Sequence, residues 1–217
     1  AGTAFVLLKS DIIPLRWFTP TVEIDLCGHA TLAAAHVLFR HFLPSADQLT
    51  FSTRSGNLIV TRDAERLTMD FPARPGTPIE VTGQLAAALA SRPKEAFLAR
   101  DLLAIFDCES EVQNLQPDFL QVAALEAFGV IVSAPGETVD FVSRFFAPRA
   151  GIPEDPVTGS SHCTLVPYWA ARLGKSELTA RQLSPRRGEL HCRLAGDRVF
   201  IAGETVEYLR GEIDVQV

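Results

Sequence analysis

Apolar residues along the chain follow two patterns, one typical of helices and one typical of strands. Residues 28–43 are apolar on nearly every side and include Leu32, Val37 and Phe42, and a second apolar segment covers residues 159–174. A helix without a polar face must be buried on all sides. Short segments that alternate apolar and polar residues surround both helices in sequence and predict strands. We therefore predict an α+β fold in which a curled, mostly antiparallel sheet wraps around a central helix.

The remaining segments predict shorter elements. Residues near 83–90 are rich in Ala and Leu and predict a helix, a further helix is expected within 117–128, and residues 100–107 predict a strand. Two turns that contain glycine predict hairpins, with return strands from Arg66 to Phe71 and from Arg198 to Gly203.

The chain repeats itself after about 130 residues. "RWFTP" at 16–20 resembles "RFFAP" at 144–148, and "STRSGNLIV" at 52–60 resembles "SPRRGELHC" at 184–192. Between these matches, each copy has a loop that leads into an apolar helix, beginning at Gly28 in the first copy and at Gly159 in the second. Three matched features in one order indicate a duplicated unit. We predict two pseudo-repeated domains, residues 1–104 and 105–217.

The two predicted helix starts suggest where chemistry takes place. A helix N-terminus carries unpaired N–H groups and about half a positive charge, and Gly28 and Gly159 would let a ligand approach the backbone closely. If an approximate twofold axis relates the repeats, both helix starts face one cleft. Such a cleft suits a carboxylate or a developing enolate. The segment "EDPVTGSSHC" at 154–163, dense in acids and hydroxyls, would lie at its mouth.

Composition excludes several classes of function. The 217 residues carry a net charge of −6 without a basic cluster, so we expect no nucleic-acid partner. No apolar run reaches the roughly 18 residues of a membrane span, and no signal peptide is visible at the start. We expect no metal and no cofactor, because neither zinc-ligand spacing nor a glycine-rich nucleotide loop is present. The cysteines form no CxxC pair and predict reduced thiols in a cytoplasmic protein: Cys27, Cys108, Cys163 and Cys192.

The chain resembles the PhzF-like phenazine biosynthesis family, which shares the fold of diaminopimelate epimerase and proline racemase. The resemblance rests on "RWFTPTVEIDLCGHATLAAAHVLF", "TRSGNLIV", "MDFPA", "DFVSRFFAPRAGIPEDPVTGSSHCTLVPYWAARLGK" and "GELHC", which together cover nearly the whole chain. It implies two domains, each a barrel-like sheet around a helix, with the active site between them. It also implies a homodimer and a cofactor-free proton shift on a small carboxylate-bearing substrate.

The resemblance also implies roles for individual residues. His29 and Asp155 would be the catalytic pair, His29 as a partner of the substrate carboxylate or in proton transfer. The glycines Gly28 and Gly159, together with Ser160, would contact the substrate. Cys27 and Thr158, the residues before each helix start, complete the expected binding set.

The start of the chain departs from the family pattern. The family has its general base in a segment that reads Ser-Glu-Thr-Ala-Phe-Val, whereas this chain reads Ala-Gly-Thr-Ala-Phe-Val, with Gly2 at the Glu position. The chain also opens as if in mid-strand, and its only methionine is Met69. We expect a fragment or a processed portion of a longer protein. One alternative function is therefore a non-catalytic protein that binds small anions.

A second alternative is an amino-acid epimerase, because the related epimerases use two thiols. Cys27 fits the first thiol position, but Thr158 stands at the second, and a hydroxyl cannot act as a thiolate base at neutral pH. Several residues also have structural interpretations. Ser160 could cap its helix, His162 could lie at the cleft or in the core, and Arg16 and Arg144 are expected to pair with carboxylates.

Overall fold

One continuous sheet runs through both halves of the computed structural model, which describes residues 2–19, 22–24, 26–63 and 66–212. The strands are β1 Thr3–Val6, β2 Ile12–Phe18, β3 Glu23–Ile24, β4 Gln48–Thr53, β5 Gly56–Asp63, β6 Arg66–Pro72, β7 Thr77–Ile79, β8 Glu95–Leu98, β9 Leu102–Ile105, β10 Val130–Pro135, β11 Phe141–Ala147, β12 Ile152–Glu154, β13 Glu177–Gln182, β14 Gly188–Ala195 and β15 Arg198–Glu204. The helices are α1 Gly28–Val37, α2 Gly83–Leu89, α3 Glu109–Asn114, α4 Phe119–Ala124 and α5 Gly159–Leu173.

The sheet order is β1-β2-β4-β5-β6-β15-β14-β13-β11-β10-β9-β8-β7, with β3 beside β2 and β12 beside β11. Neighbours in this order are mostly antiparallel, and the parallel pairs among the described strands are β2–β4, β9–β10 and β11–β13. The predicted α+β class with a mostly antiparallel sheet is confirmed. The predicted return strands are β6 and β15, each one residue longer than expected.

The two copies of the repeat have the same topology. In the first copy, β1 pairs with β2, β2 with β3 and β4, β4 with β5, and β5 with β6. In the second copy, β10, β11, β12, β13, β14 and β15 pair in the same sequence and the same directions. The copies join where β6 pairs antiparallel with β15, with Met69 opposite Ile201. Because these two residues occupy equivalent places in the copies, the junction lies on the approximate twofold axis.

Residues 77–105 extend the sheet of the second copy. β9 runs parallel to β10, with Leu102 opposite Val130, and β8 and β7 follow it outward. A second apolar core covers this extension and contains α2, α3 and α4. The predicted domain boundary between residues 104 and 105 would separate this extension from β10, the strand with which β9 is paired. We propose instead that the boundary between the copies lies between Pro72 and Thr77.

The two central helices differ in how completely they are buried. α5 continues through Pro167 and buries most of its side chains, with Trp169 stacked on Phe141 at 5.7 Å between ring centroids. α1 is followed directly by a π-helical turn, Leu38–Phe42. Together the two segments cover nearly all of the helix predicted over residues 28–43. However, Val37 is 40% and Phe42 57% exposed, so the prediction that α1 is buried on all sides is wrong. This face borders an open groove beside β1 and lacks a covering layer among the described residues.

The other helices are short. α2 matches the predicted helix near 83–90, whereas α4 covers only the middle of the predicted segment 117–128. Asp118 caps α4 by accepting hydrogen bonds from the amides of Leu120 and Gln121. No helix in the described part of the chain has the length and apolar character needed to cross a membrane.

Candidate active site

The starts of α1 and α5 meet at the centre of the molecule. A Cβ atom added to Gly28 would lie 3.3 Å from the Cα atom of Gly159, and one added to Gly159 would lie 3.5 Å from the Cα atom of Gly28. Both glycines line one cavity of about 340 Å³. The predicted arrangement of two glycine-led helix starts at a common cleft is thus present in the structure.

The first turns of α1 and α5 lack the side chains that usually accept hydrogen bonds from the free amides at a helix start or offset their positive charge. The N-cap residues Cys27 and Thr158 have extended backbones, and neither side chain caps its helix. Neither first turn contains an acidic residue. Because the first amides of a helix have no partner within the helix, these N–H groups and the positive ends of two dipoles are available to an anion in the cavity.

His29 links the first helix start to the second repeat. Its Nδ1 lies 3.0 Å from the carbonyl oxygen of Val157, and its Nε2 lies 3.5 Å from the Sγ atom of Cys27. The hydrogen bond with Cys27 is the largest influence that raises the pKa of His29, to about 9, with the charge of Asp155 and the Val157 carbonyl adding to it against the effect of burial. The raised pKa favours the imidazolium form of His29 near neutral pH, in which Nδ1–H donates to the Val157 carbonyl.

Asp155 lies in the turn between β12 and α5 and lines the same cavity. Its Oδ2 accepts a hydrogen bond of 2.5 Å from the Oγ1 of Thr158, and its amide donates to the carbonyl of Phe145. Thr158 is itself buried, at 7% exposure. The hydroxyl of Thr158 therefore fixes the orientation of the Asp155 carboxylate at the cavity wall.

Gln182 holds this turn in place and was not identified from the sequence. The Oε1 of Gln182 accepts a hydrogen bond from the amide of Thr158, and the Nε2 donates to the carbonyl of Asp155 and to the Oγ1 of Thr158. Its side chain is fully buried. Leu178, Ala180 and Gln182 are the inward positions of β13. The sequence signal that could have identified Gln182 is an amide side chain at an inward position of a strand. Because a buried polar side chain needs hydrogen-bond partners, such a residue usually holds a neighbouring segment in place.

A sequence profile described as phenazine biosynthesis-like protein matches residues 1–211. The chain belongs to this family. An isomerase of Pseudomonas aeruginosa, described as uncharacterised, is 51% identical over 212 residues, which cover 97% of this chain and 81% of that protein. The crystal structure of a PhzF-family phenazine biosynthesis protein from Enterococcus faecalis has a TM-score of 0.91 at 46% identity and covers 94% of this chain and 78% of that one.

The family shares its fold with more distant proteins. The crystal structure of a probable proline racemase from Agrobacterium radiobacter has a TM-score of 0.65 at 13% identity, over 99% of this chain and 76% of that one. At this identity the likeness concerns the fold alone. Together with the sheet topology, it identifies the fold as that of the diaminopimelate epimerase and proline racemase group.

Position 2, where the family pattern has Glu, lies at the cavity. A Cβ atom on Gly2 would be 3.6 Å from the carbonyl oxygen of Phe18 and 3.9 Å from the Sγ of Cys27. Both distances are ordinary van der Waals contacts, so a Cβ atom at position 2 fits without a clash near the Cys27 thiol. Ser160 also lines the cavity, as the second residue of α5; the N-cap position belongs to Thr158, so the capping interpretation of Ser160 is wrong.

The matched arginines of the repeat each bind a glutamate, as predicted. Arg16 forms two hydrogen bonds with Glu23, both of 2.7 Å, and Arg144 forms two with Glu154, of 2.7 and 2.9 Å. Both glutamates line the cavity, and the arginines neutralise them. Asp155 lines the same cavity but, unlike the two glutamates, has no arginine partner within 4.0 Å among the described residues.

Two other candidates lie in the core. His162 is fully buried; its Nδ1 is 2.8 Å from the carbonyl of Thr158, and burial lowers its pKa to about 4. Cys163 is buried as well, which raises the pKa of its thiol to about 11. Neither lines the central cavity. Cys108, in contrast, is exposed. Asp25 in the loop before Cys27 lies outside the described residues.

Proposed function

We propose that this chain is an isomerase that shifts a proton on a small carboxylate-bearing compound in the cavity between α1 and α5, without a cofactor. The name of the relative from P. aeruginosa supports the reaction class. The observation that carries the proposal is the meeting of two uncapped helix starts beside His29 and Asp155.

The helix starts supply the electrostatic part of the reaction. Removal of a proton next to a carboxylate places a second negative charge on its oxygens. Preorganised N–H donors in a site shielded from water stabilise such developing charge more than bulk water does. We assign this task to the first amides of α1 and α5, at Gly28 and Gly159, with Ser160 as a further contact.

The two ionisable groups at the cavity differ in the hydrogen bonds that they make. The raised pKa of His29 favours its protonated form, which can release a proton, whereas Asp155 accepts a hydrogen bond from Thr158. A proton donor and a proton acceptor that line one cavity can act as general acid and general base. We propose that Asp155 takes the proton from the substrate carbon and that the Nε2–H of His29 returns one elsewhere on the substrate. This assignment gives Asp155 the role that Glu has in the family pattern.

Exchange of substrate hydrogen with deuterium tests the reaction without knowledge of the product. Cyclohex-2-ene-1-carboxylate, itaconate and L-proline, incubated with the protein in D₂O, would be followed by ¹H NMR. Exchange by the wild type should fall by about 10²–10⁴-fold in Asp155→Asn, the usual contribution of a general base. Asp107→Asn is the matched control, because Asp107 is an exposed carboxylate paired with Lys94. Equal exchange by Asp155→Asn and Asp107→Asn would show that Asp155 is not the base.

A non-catalytic protein that binds small anions is the second candidate, and Gly2 favours it. If Asp155 cannot replace the missing carboxylate, the wild type should bind carboxylates without any exchange. Gly2→Glu should then create exchange, because the new side chain enters the cavity beside Cys27. Gly2→Gln has the same size without the base and serves as its control.

Two-base epimerisation is disfavoured by the geometry of Thr158. Its hydroxyl already donates to Asp155 and accepts from Gln182. Cys27→Ser separates the remaining possibilities, because an epimerase requires the Cys27 thiol and a proton-shifting isomerase retains activity without it. The homodimer, the cytoplasmic location and the absence of a cofactor stay predictions.

A further inference from the structure

Arg100 and Phe128 line the central cavity, although neither residue was a candidate in the sequence. The guanidinium carbon of Arg100 lies 4.2 Å from the centroid of the Phe128 ring, and both residues line the cavity that contains Gly28 and Gly159. Each residue stands two positions before the start of its strand, and these strands, β9 and β10, pair in parallel with Leu102 opposite Val130. The register of the sheet thus places the two side chains next to each other.

Arg100 differs from the other arginines near the cavity in having no carboxylate partner. Arg16 and Arg144 are each bound to a glutamate, whereas no ion pair within 4.0 Å involves Arg100 in the described parts of the chain. The adjacent Asp101 is turned into the protein instead, where it is 2% exposed and accepts a hydrogen bond from the amide of Gly129. The Arg100 guanidinium lies over the ring, and since it forms no ion pair among the described residues, its N–H groups can bind a carboxylate.

We propose that Arg100, held against Phe128, binds a second carboxylate of the substrate, so that the substrate is a small dicarboxylate. One carboxylate would lie at the starts of α1 and α5, and the other at Arg100. This inference rests on the proposed function, which places the first carboxylate. The cavity of about 340 Å³ is at the small end of ligand pockets, which span roughly 300–1,000 Å³, and therefore suits a compact compound.

The charges of the cavity agree with this substrate class. Arginines neutralise the two glutamates that line it, which leaves Asp155 as the acidic lining residue without an arginine partner among the described residues. Facing it are two helix starts, the His29 imidazolium and Arg100. A single carboxylate would leave Arg100 without an ion pair within 4.0 Å among the described residues, whereas a dicarboxylate can bind at the helix starts and at Arg100 at once.

Calorimetric titration with paired ligands tests the role of Arg100. Benzoate would be compared with isophthalate, and butyrate with glutarate, on wild type, Arg100→Met and Arg193→Met. Arg193 provides the matched control, because it stacks on Phe200 at the same 4.2 Å but does not line the cavity. Wild type and Arg193→Met should bind the dicarboxylates about 10–100-fold more tightly than the monocarboxylates, as expected for one charge-assisted pair.

Arg100→Met should remove this preference and leave benzoate affinity unchanged, and Arg100→Lys, which keeps the charge without the planar fork, should retain part of it. Thermal unfolding of each variant establishes that the fold is intact. A dicarboxylate preference that survives in Arg100→Met would overturn the inference while leaving the proposed function in place. If no carboxylate of either kind binds the wild type, the proposed function is wrong, and the inference with it.

Discussion

The contact between the two helix starts makes Gly28→Ala an informative substitution. The new methyl carbon would lie 3.3 Å from the Cα of Gly159, 3.5 Å from its amide nitrogen and 3.4 Å from the Cε of Met69. The end of Met69 can move aside, but the backbone of Gly159 cannot, so α1 and α5 must separate slightly. Overpacking of this kind costs about 1–3 kcal/mol, and replacing glycine by alanine in a helix returns about 0.5–1 kcal/mol. We expect a net loss of about 1–2 kcal/mol.

Two other glycines provide matched controls at the same helix position. Gly83 begins α2, and a Cβ atom added there would have no other atom within 4 Å, so Gly83→Ala should stabilise the protein by about 0.5–1 kcal/mol. Gly159 would place its Cβ no closer than 3.5 Å to another atom, so Gly159→Ala should fall between the two. Urea unfolding gives these free energies directly, and each kcal/mol corresponds to about 2–4 °C in Tm at this chain length.

The same variants connect stability with ligand binding. Gly28→Ala should weaken benzoate binding, because it moves apart the two sets of amides that are proposed to hold the carboxylate. Gly83→Ala should leave benzoate binding unchanged. If Gly28→Ala proves as stable as Gly83→Ala and binds benzoate like the wild type, the helix starts do not meet as described, and the reasoning about the cavity is refuted.

Two further predictions concern His29 and Gln182. The pKa of His29 is raised from 6.5 to about 9. Protonated His29 therefore contributes about 3 kcal/mol to the free energy of unfolding below pH 6.5, and this contribution is lost as the pH rises through 9. Urea unfolding at pH 6 and pH 9.5 should show a larger loss for wild type than for His29→Gln, and parallel profiles would contradict the assignment. Gln182→Met should lower the free energy of unfolding by about 2–5 kcal/mol, because it leaves buried groups of Asp155 and Thr158 unpaired. Gln113→Met, at an exposed position, should change it by under about 0.5 kcal/mol in the same measurement.

The helix starts could be predicted because their signals are local. An apolar run begins directly after a glycine in each repeat, so the first residues of α1 and α5 agree with the prediction. The duplicated topology was also visible in sequence, because matching turns and strands recur in one order. The roles of His29, Asp155 and the residues around them stay predictions until ligand binding is measured.

Features that depend on distant pairing could not be predicted. The extension β7–β9 is bonded to the second copy by the parallel pairing of β9 with β10, and no local pattern specifies that partner. The position of Arg100 beside Phe128 follows from the same register. α3 was missed because its sequence, ESEVQN, buries only Val112 and lacks an apolar periodicity. The exposure of one face of α1 depends on which elements pack around the helix, and the sequence of the helix itself does not determine those elements.

The antiparallel pairing of β6 with β15 constrains how a ligand can enter. Seven residue pairs, from Arg66–Glu204 to Arg198–Pro72, form one antiparallel ladder between the two copies, and the Met69 side chain of this ladder reaches the contact between Gly28 and Gly159. Rotation of one copy against the other must therefore twist or break this ladder, which resists wide opening of the cleft between the copies. A ligand can enter with the ladder intact if the sheet twists slightly or if the segments at the rim of the cavity are displaced.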